Sequence, residues 1–303
     1  MRHAYSRGRP QAVFVREVRL TRSEAGLGEL SGQTFLITGG NTGIGLATAR
    51  ALAKYGARVH LACRSAEKGA AAVSGLVAET GNADVCFLQL DLSDLSSVRK
   101  CAEEFLATGE PLDVLINNAG VAGQRGLTKD GFELIFGVNH LGHFALTLAL
   151  LDLLKSSRAR IVNVASDAHF QATGIDFAAL RRRTRAITGM PEYAVSKLCN
   201  VLFNQELARR TAGTGVTSYA LHPGVVASDI WRRVPWPARP LITRRMLSVH
   251  EGAQTSIHCA TSPAVAQDSG LYYASSRAVA PSAVATQELA ERLWQQSEAW
   301  IRS

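Results

Sequence analysis

The chain has 303 residues, 47% of them hydrophobic, and a formal net charge of +8. That is enough for a sizeable core in one large α/β domain or two smaller ones. Five scattered cysteines with no CxxC pair argue against a zinc site or a disulfide framework, and dispersed basic residues without a nucleic-acid module argue against nucleic acid as a partner.

No stretch reaches the roughly 18 uncharged apolar residues of a membrane span. "LGHFALTLALLDLL" (141–154) comes closest, but it carries His143 and Asp152. The first residues, "MRHAYSRGRPQAVFVREVRLTRSE", have no apolar h-region or small-residue cleavage site, so no secretory signal is expected. A cytoplasmic protein with reduced, mostly buried cysteines is the expectation, with no metal site.

Residues 1–30 show no clear period and read as a loosely attached extension. From residue 31 strand and helix alternate. "QTFLIT" (33–38) reads as a buried strand ending in glycines, and "GIGLATARALAKY" (43–55) as a helix with Gly56 at its αL terminus. "RVHLAC" (58–63), a helix over 65–80 and "DVCFLQL" (84–90) follow, then a helix over 93–107 with Ser93 as expected cap. "LDVLINNAG" (112–120) is a fourth strand, a long helix covers about 130–155, and "ARIVNVAS" (159–166) is a fifth strand. A helix opens at Pro191, where a missing N–H costs little. "GVTSYALHPG" (215–224), a helix over 249–261, the short strand "GLYYAS" (270–275) and a helix over 286–301 finish the chain. The strands are near-continuous apolar runs, as expected where helices cover both sheet faces. The pattern predicts one α/β domain over 31–303: a doubly wound, mostly parallel sheet of about seven strands flanked by helices.

"LITGGNTGIGLATA" (36–49) runs strand, glycine turn, helix. Gly39, Gly43 and Gly45 permit a tight turn and close backbone approach. The helix N-terminus then offers N–H groups and a positive dipole end to a pyrophosphate. At the first strand-to-helix junction of a doubly wound sheet, this is where a dinucleotide binds. The next strand ends "LACRS" (61–65), with no carboxylate before Glu67. Arg64, supported by Lys68, suits a 2′-phosphate, so NADP(H) is favoured over NAD(H).

Tyr193 and Lys197 are neighbours at i, i+4 on a very apolar helix. Ser166 ends the fifth strand, and Asn139 lies in the helical "FGVNHLGHF" (136–144). A phenol acts as acid or base only if its pKa falls from about 10 toward the working pH. A neighbouring ammonium and a nicotinamide cation both favour that.

With "TGGNTGIG" (38–45), "NNAG" (117–120), Asn139, Ser166, "YAVSK" (193–197) and "HPG" (222–224) in this order, the chain resembles the short-chain dehydrogenase/reductases. "ACR", "DLSDLSSVR" (91–99), "GVNHLGHF" (137–144), "SKLCNVLF" (196–203) and "ELAERLWQQSE" (288–298) resemble their retinol dehydrogenase-type, NADP(H)-preferring branch. The resemblance implies a Rossmann-type fold with Tyr193 as acid/base. It implies that Lys197 lowers the Tyr193 pKa and holds the nicotinamide ribose, Ser166 orients the carbonyl, and Asn139 holds a relay water. Gly39, Asn41, Thr42, Gly43, Ile44 and Gly45 would bind the cofactor phosphates. Asp91 and Leu92 would contact adenine, while Asn118, Ala119 and Gly120 would line the cofactor path. Pro223, Gly224, Val226 and Ser228 would flank the nicotinamide. Two departures are Ala165, where the family often has serine, and Ser228, where threonine is common.

The expected activity is hydride transfer between NADP(H) and a hydrophobic aldehyde, ketone or alcohol, in the reductive direction. The alternative is a nucleotide-binding regulatory or scaffold protein without turnover. "SDIWRRVPWPARPLITRRML" (228–247) reads as a lid with apolar walls, and its mix of tryptophan and arginine suits peripheral contact with anionic lipid. The resemblance leaves a homodimer or homotetramer open.

Overall fold

The computed structural model describes residues 29–225 and 247–302. The extension before Glu29, Val226, Ser228 and the lid before Leu247 lie outside the described residues.

All seven apolar runs become strands. In chain order the elements are β1 (Thr34–Thr38), α1 (Gly43–Lys54), β2 (Arg58–Cys63), α2 (Ala66–Thr80), β3 (Val85–Gln89), α3 (Leu95–Leu106) and β4 (Val114–Asn117). The helical passage that follows is divided into α4 (Leu134–Phe136), a π-turn (Gly137–Leu141), α5 (Gly142–Ala149) and α6 (Leu151–Ser156). Then come β5 (Arg160–Val164), α7 (Met190–Arg210), β6 (Thr217–His222), α8 (Val249–Thr261), β7 (Tyr272–Ala274), β8 (Arg277–Val279) and α9 (Gln287–Arg302).

The strands form one sheet in the order β3-β2-β1-β4-β5-β6-β7-β8. Every neighbouring pair is parallel except β7 with β8. The eighth strand adds to the seven read from the sequence. It is three exposed residues long, too short and too polar to carry an apolar signal. Ala274 pairs with Arg277 across a two-residue turn. Ser275 and Ser276 both have positive φ there, 51° and 58°, as a type I′ hairpin turn requires.

Alternation along the central strands divides the core between the two faces. Leu36, Leu115 and Ile161 pack with residues of α3, α5, α7 and α9. Phe35, Ile37, Val59, Leu61, Ile116 and Val162 pack on the other side with α1 and α2. Each such fully buried side chain contributes roughly 1.5–3 kcal/mol. Gly69 interrupts α2 for a packing reason: a Cβ there would stand 2.2 Å from the ring of Phe87 on β3.

Two local expectations are corrected. The cap of α3 is Asp94, not Ser93: the Asp94 carboxylate accepts from the N–H groups of Ser96 and Ser97. The Ser93 hydroxyl instead donates to Asp91 Oδ1 at 2.7 Å. The helix expected over 130–155 begins at Leu134 and is interrupted by the π-turn at Gly137–Leu141. Apolar periodicity does not distinguish a π insertion from a regular turn, and such insertions are frequent at functional sites.

The helix α7 is apolar beyond one stripe because it is covered on more than one side. Twelve of its 21 residues are buried, Lys197 among them. Trp294 of α9 stacks on Phe203 with ring centroids 5.9 Å apart. Buried Asn204 is satisfied by donating to the Leu271 carbonyl and accepting from the Ser218 hydroxyl.

Candidate active site

The order of strands reverses between β1 and β4, and a crevice opens at their C-terminal ends, where doubly wound sheets bind ligands. β1 ends at Thr38, and the chain turns through Gly39 (φ 66°) and Gly43 (φ 55°) into α1. Gly39 N donates to the Ala62 carbonyl at 2.7 Å, tying the turn to β2. A Cβ on Gly45 would lie 2.4 Å from Gly39 O and 2.5 Å from Asn118 Nδ2. The helix start is therefore pressed against the Asn118 side chain, which donates to the Thr38 carbonyl at 2.7 Å. No side chain caps α1 at Thr42. The backbone turn and the positive end of the helix dipole thus face the cleft with room for a diphosphate, and the residues present fit a dinucleotide.

The cleft has a volume of about 510 Å³. It is lined by Gly39, Asn41, Thr42, Gly43, Ile44 and Gly45 from the glycine turn, Asn118, Ala119 and Gly120 after β4, and Pro223 and Gly224 after β6. Ser166, Tyr193 and Lys197 line it as well. Arg64 and Lys68 stand exposed outside the cleft wall, at the end of β2 and in the first turn of α2. Arg64 makes no salt bridge among the described residues. Asp91 and Leu92 also lie off the wall. Asp91 Oδ1 accepts from the Ser93 N–H at 3.0 Å. Leu92 is buried, and a Cβ on Gly142 would lie 2.7 Å from its carbonyl oxygen.

Lys197 is 3% exposed, and its Nζ donates to the Val164 carbonyl at 2.9 Å. Burial holds its pKa down to about 8. The ammonium lies 5.5 Å from the centroid of the Tyr193 ring. The balance at Tyr193 differs from the expectation that Lys197 brings the phenol down. In the protein by itself burial dominates and pushes the phenol up, while the Ser166 side chain acts in the opposite sense.

Asn139 is fully buried in the π-turn and does not reach the cleft wall. Its Oδ1 accepts from Val121 N at 2.8 Å, and its Nδ2 donates to Val121 O and Ser196 Oγ, both at 3.0 Å. The side chain is fully committed to holding the turn after β4 against α7. Its backbone carbonyl lies 3.0 Å from His143 Nδ1.

Several residues around Ser166 carried no sequence signal. The Ser166 hydroxyl accepts from Ala168 N at 3.2 Å, and its carbonyl accepts from His169 Nδ1 at 2.7 Å. His169 is fully buried, and its Nε2 accepts from Ser282 N at 3.0 Å. Asp167, on the cleft wall, accepts from the Tyr272 hydroxyl at 2.8 Å and faces His222 Nε2 at 3.3 Å. These partners come from β6, β7 and the segment before α9, 55 to 113 residues downstream. No spacing rule reaches that far. Among the described residues there is no cluster of metal-ligating side chains, and no helix is long and apolar enough to cross a membrane.

The arrangement brings a phenol, a buried ammonium and a hydroxyl to a cleft that a nucleotide-type turn also lines. It can deliver or remove a proton beside a bound dinucleotide. The family model for short chain dehydrogenases matches residues 33–236. Retinol dehydrogenase 12 of Mus musculus is 47% identical over 274 residues, covering 88% of this chain and 85% of that one. A crystal structure of an uncharacterized protein from Mycobacterium paratuberculosis superposes with a TM-score of 0.74 at 33% identity, covering 92% of this chain and 97% of that one. The active-site complex of Pseudomonas aeruginosa RhlG with NADP superposes with a TM-score of 0.66 at 27% identity, covering 80% and 94%. The chain belongs to the short-chain dehydrogenase family, is of its retinol dehydrogenase type, and is accordingly an oxidoreductase acting on small substrates.

Proposed function

We propose that the protein uses NADP(H) to reduce a hydrophobic aldehyde or ketone to the alcohol. The observation that carries this reading is the convergence of Tyr193, Lys197 and Ser166 with the glycine turn on a single cleft of about 510 Å³. Two further points support it. The strand that meets the adenosine ribose in this fold ends in an exposed arginine and no carboxylate. The Pseudomonas neighbour is an NADP complex, and the mouse relative's name specifies retinol, a lipophilic alcohol.

NADPH, when bound, supplies the hydride that reduces the carbonyl carbon. Gly39, Asn41, Thr42, Gly43, Ile44 and Gly45 would hold the phosphates, and Asn118, Ala119 and Gly120 would line the cofactor path. Asp91 and Leu92 would contact adenine, and Arg64 and Lys68 would pair with a 2′-phosphate. Pro223 and Gly224, which line the cleft, would flank the nicotinamide, and the family resemblance assigns the same role to Val226 and Ser228. Ser166 donates to the substrate oxygen and fixes its position. Tyr193 then gives its proton to that oxygen as negative charge develops there. Burial keeps the phenol protonated in the protein by itself, and the nearby Lys197 ammonium would favour loss of that proton during the transfer. Lys197 would stabilise the resulting phenolate and return a proton to it, taking its own replacement from solvent in the cleft. Preorganised donors of this kind contribute about 2–4 kcal/mol each to lowering the barrier.

The test is NADPH oxidation by purified protein with a panel of apolar aldehydes and ketones, retinal included, beside NADH and the Tyr193→Phe variant. Turnover with NADPH, weak with NADH and lost by at least about a hundredfold in the variant, is expected. Tight NADPH binding with no turnover across the panel favours the regulatory or scaffold alternative. For the 228–247 segment, peripheral contact with anionic lipid is proposed on sequence alone. Protein that stays in the supernatant with anionic vesicles at low salt would remove it.

A further inference from the structure

His143 opens α5 and is 3% exposed. Both of its ring nitrogens are engaged: Nε2 lies 2.8 Å from Thr38 Oγ1, and Nδ1 lies 3.0 Å from the Asn139 carbonyl oxygen. Its two partners belong to different elements behind the cleft. Thr38 closes β1, and its hydroxyl oxygen accepts from the N–H groups of Asn118 and Ala119, both at 2.9 Å. Asn139 belongs to the π-turn that is locked to Val121 and α7. The imidazole is the bridge between the nucleotide strand and that turn.

Counting donors fixes the protonation of the ring. A carbonyl only accepts, so the hydrogen between His143 and Asn139 is on Nδ1. The Thr38 oxygen already accepts two N–H groups, and its single proton has two acceptors within reach: the Ile116 carbonyl at 3.4 Å and His143 Nε2 at 2.8 Å. The shorter contact takes it, so Nε2 accepts. Burial, with nearby Lys197 acting in the same sense, holds the ring pKa down to about 4, which keeps the bridge uncharged at neutral pH.

We propose that His143, as the neutral Nδ1–H tautomer, is a positioning residue that ties the Thr38 end of the cofactor strand to the Asn139 carbonyl. Seating of the dinucleotide and placement of the proton-relay turn are then set by one side chain. The inference rests on the nucleotide-site reading given above. A histidine that served packing alone would need neither a fixed tautomer nor both nitrogens engaged.

Two measurements test it. Nitrogen-15 histidine spectra of the wild-type protein at neutral pH, with His143→Gln identifying the signal, are expected to show the Nδ1–H pattern for His143. An Nε2–H or a charged ring overturns the proposal. NADPH binding by calorimetry and steady-state kinetics are then compared for His143→Leu and His143→Gln. Leucine removes both bonds and is expected to raise the NADPH Kd about tenfold and lower kcat about tenfold, with the carbonyl KM within about twofold. Glutamine can donate from its amide nitrogen and accept at its oxygen, and is expected to stay within about threefold of wild type on both quantities. Unchanged Kd and kcat in a leucine variant that merely melts lower overturns the proposal, as does a glutamine variant with a tenfold loss. The glutamine arm decides the matter if the leucine variant does not fold. The tautomer and binding arms need no substrate. A wild-type protein without turnover therefore sinks the reductase reading and leaves these two readouts to decide this one.

Discussion

Replacing Lys197 by methionine is expected to stabilise the ligand-free protein while abolishing turnover. The lysine is 3% exposed, its ammonium donates to the Val164 carbonyl, and burial brings its pKa from 10.5 to about 8. At 1.36 kcal/mol per pH unit, that drop means the charged lysine costs the folded state roughly 3 kcal/mol below pH 8. Methionine matches the stem of the side chain and removes the charge. It also loses the bond to Val164, about 1 kcal/mol, although Asn200 Nδ2 still donates to that carbonyl at 3.2 Å. The net gain at pH 7 is about 2 kcal/mol, or roughly 3 °C in Tm for a protein of this size. The sign with pH follows from the lowered pKa. Below about pH 8 both folded and unfolded chains hold the proton, and the full cost is present. As pH rises from about 8 toward 10.5 the folded lysine deprotonates first, and the wild type recovers. Thermal melts of both proteins without cofactor, at pH 7 and at pH 10, measure the gap. A variant that melts below wild type at pH 7, or a gain that does not shrink by pH 10, would refute the reasoning.

Arg64→Asp is expected to raise the NADPH KM at least about tenfold and to leave the NADH KM within about threefold, because one charge-assisted pairing to a 2′-phosphate is replaced by repulsion; equal changes for both cofactors would remove Arg64 from the site. Gly45→Ala places a Cβ 2.4 Å from the backbone oxygen of Gly39. Neither side can yield cheaply, so calorimetry is expected to find NADPH binding weakened by more than about a hundredfold, together with about 1–3 kcal/mol of lost stability. Glu206 is 1% exposed and accepts from Arg209 at 2.8 Å and from Arg210 at 2.6 Å. Burial raises its carboxyl pKa, but the two arginines outweigh burial and leave it below the ordinary value. Its contribution is present above the ordinary carboxyl pKa of about 4.3 and is lost as pH falls through the lower folded value. Glu206→Gln should therefore be about 2 kcal/mol less stable at pH 7 by urea melts, with the gap closing in acid. A gap that persists below about pH 3 contradicts this reading.

The apolar runs predict the sheet because a buried parallel strand has no polar face to confuse the pattern. The glycine turn is legible for a similar reason. Gly39 and Gly43 adopt positive φ, and Gly45 meets a backbone oxygen, so the sequence has no freedom there. Tyr193, Lys197 and Ser166 are readable from helical spacing and a strand end. What the sequence withholds is the set of long-range pairings that decide charge and tautomer. Spacing within α7 does not show that Lys197 ends beneath the Val164 carbonyl. The "NHLGHF" run does not disclose that His143 meets Thr38, 105 residues earlier. The cap at Asp94 and the break at the π-turn escape because each turns on a shift of a residue or two, which periodicity does not resolve.

The tie from Ser282 through His169 to the Ser166 carbonyl bears on the order in which the molecule is made. Synthesis runs from the N-terminus, and folding can begin before it ends. A nascent chain that has released everything to Val225 already holds Ser166, Tyr193 and Lys197, with β1 to β6 able to pair. It does not yet hold Ser282 to donate to His169, nor Tyr272 to donate to Asp167. Closure of the turn bearing Ser166 thus waits for the last 32 of the 303 residues. A chain released before Tyr272 would carry its nucleotide turn but lack two of the bonds that pin the turn bearing Ser166.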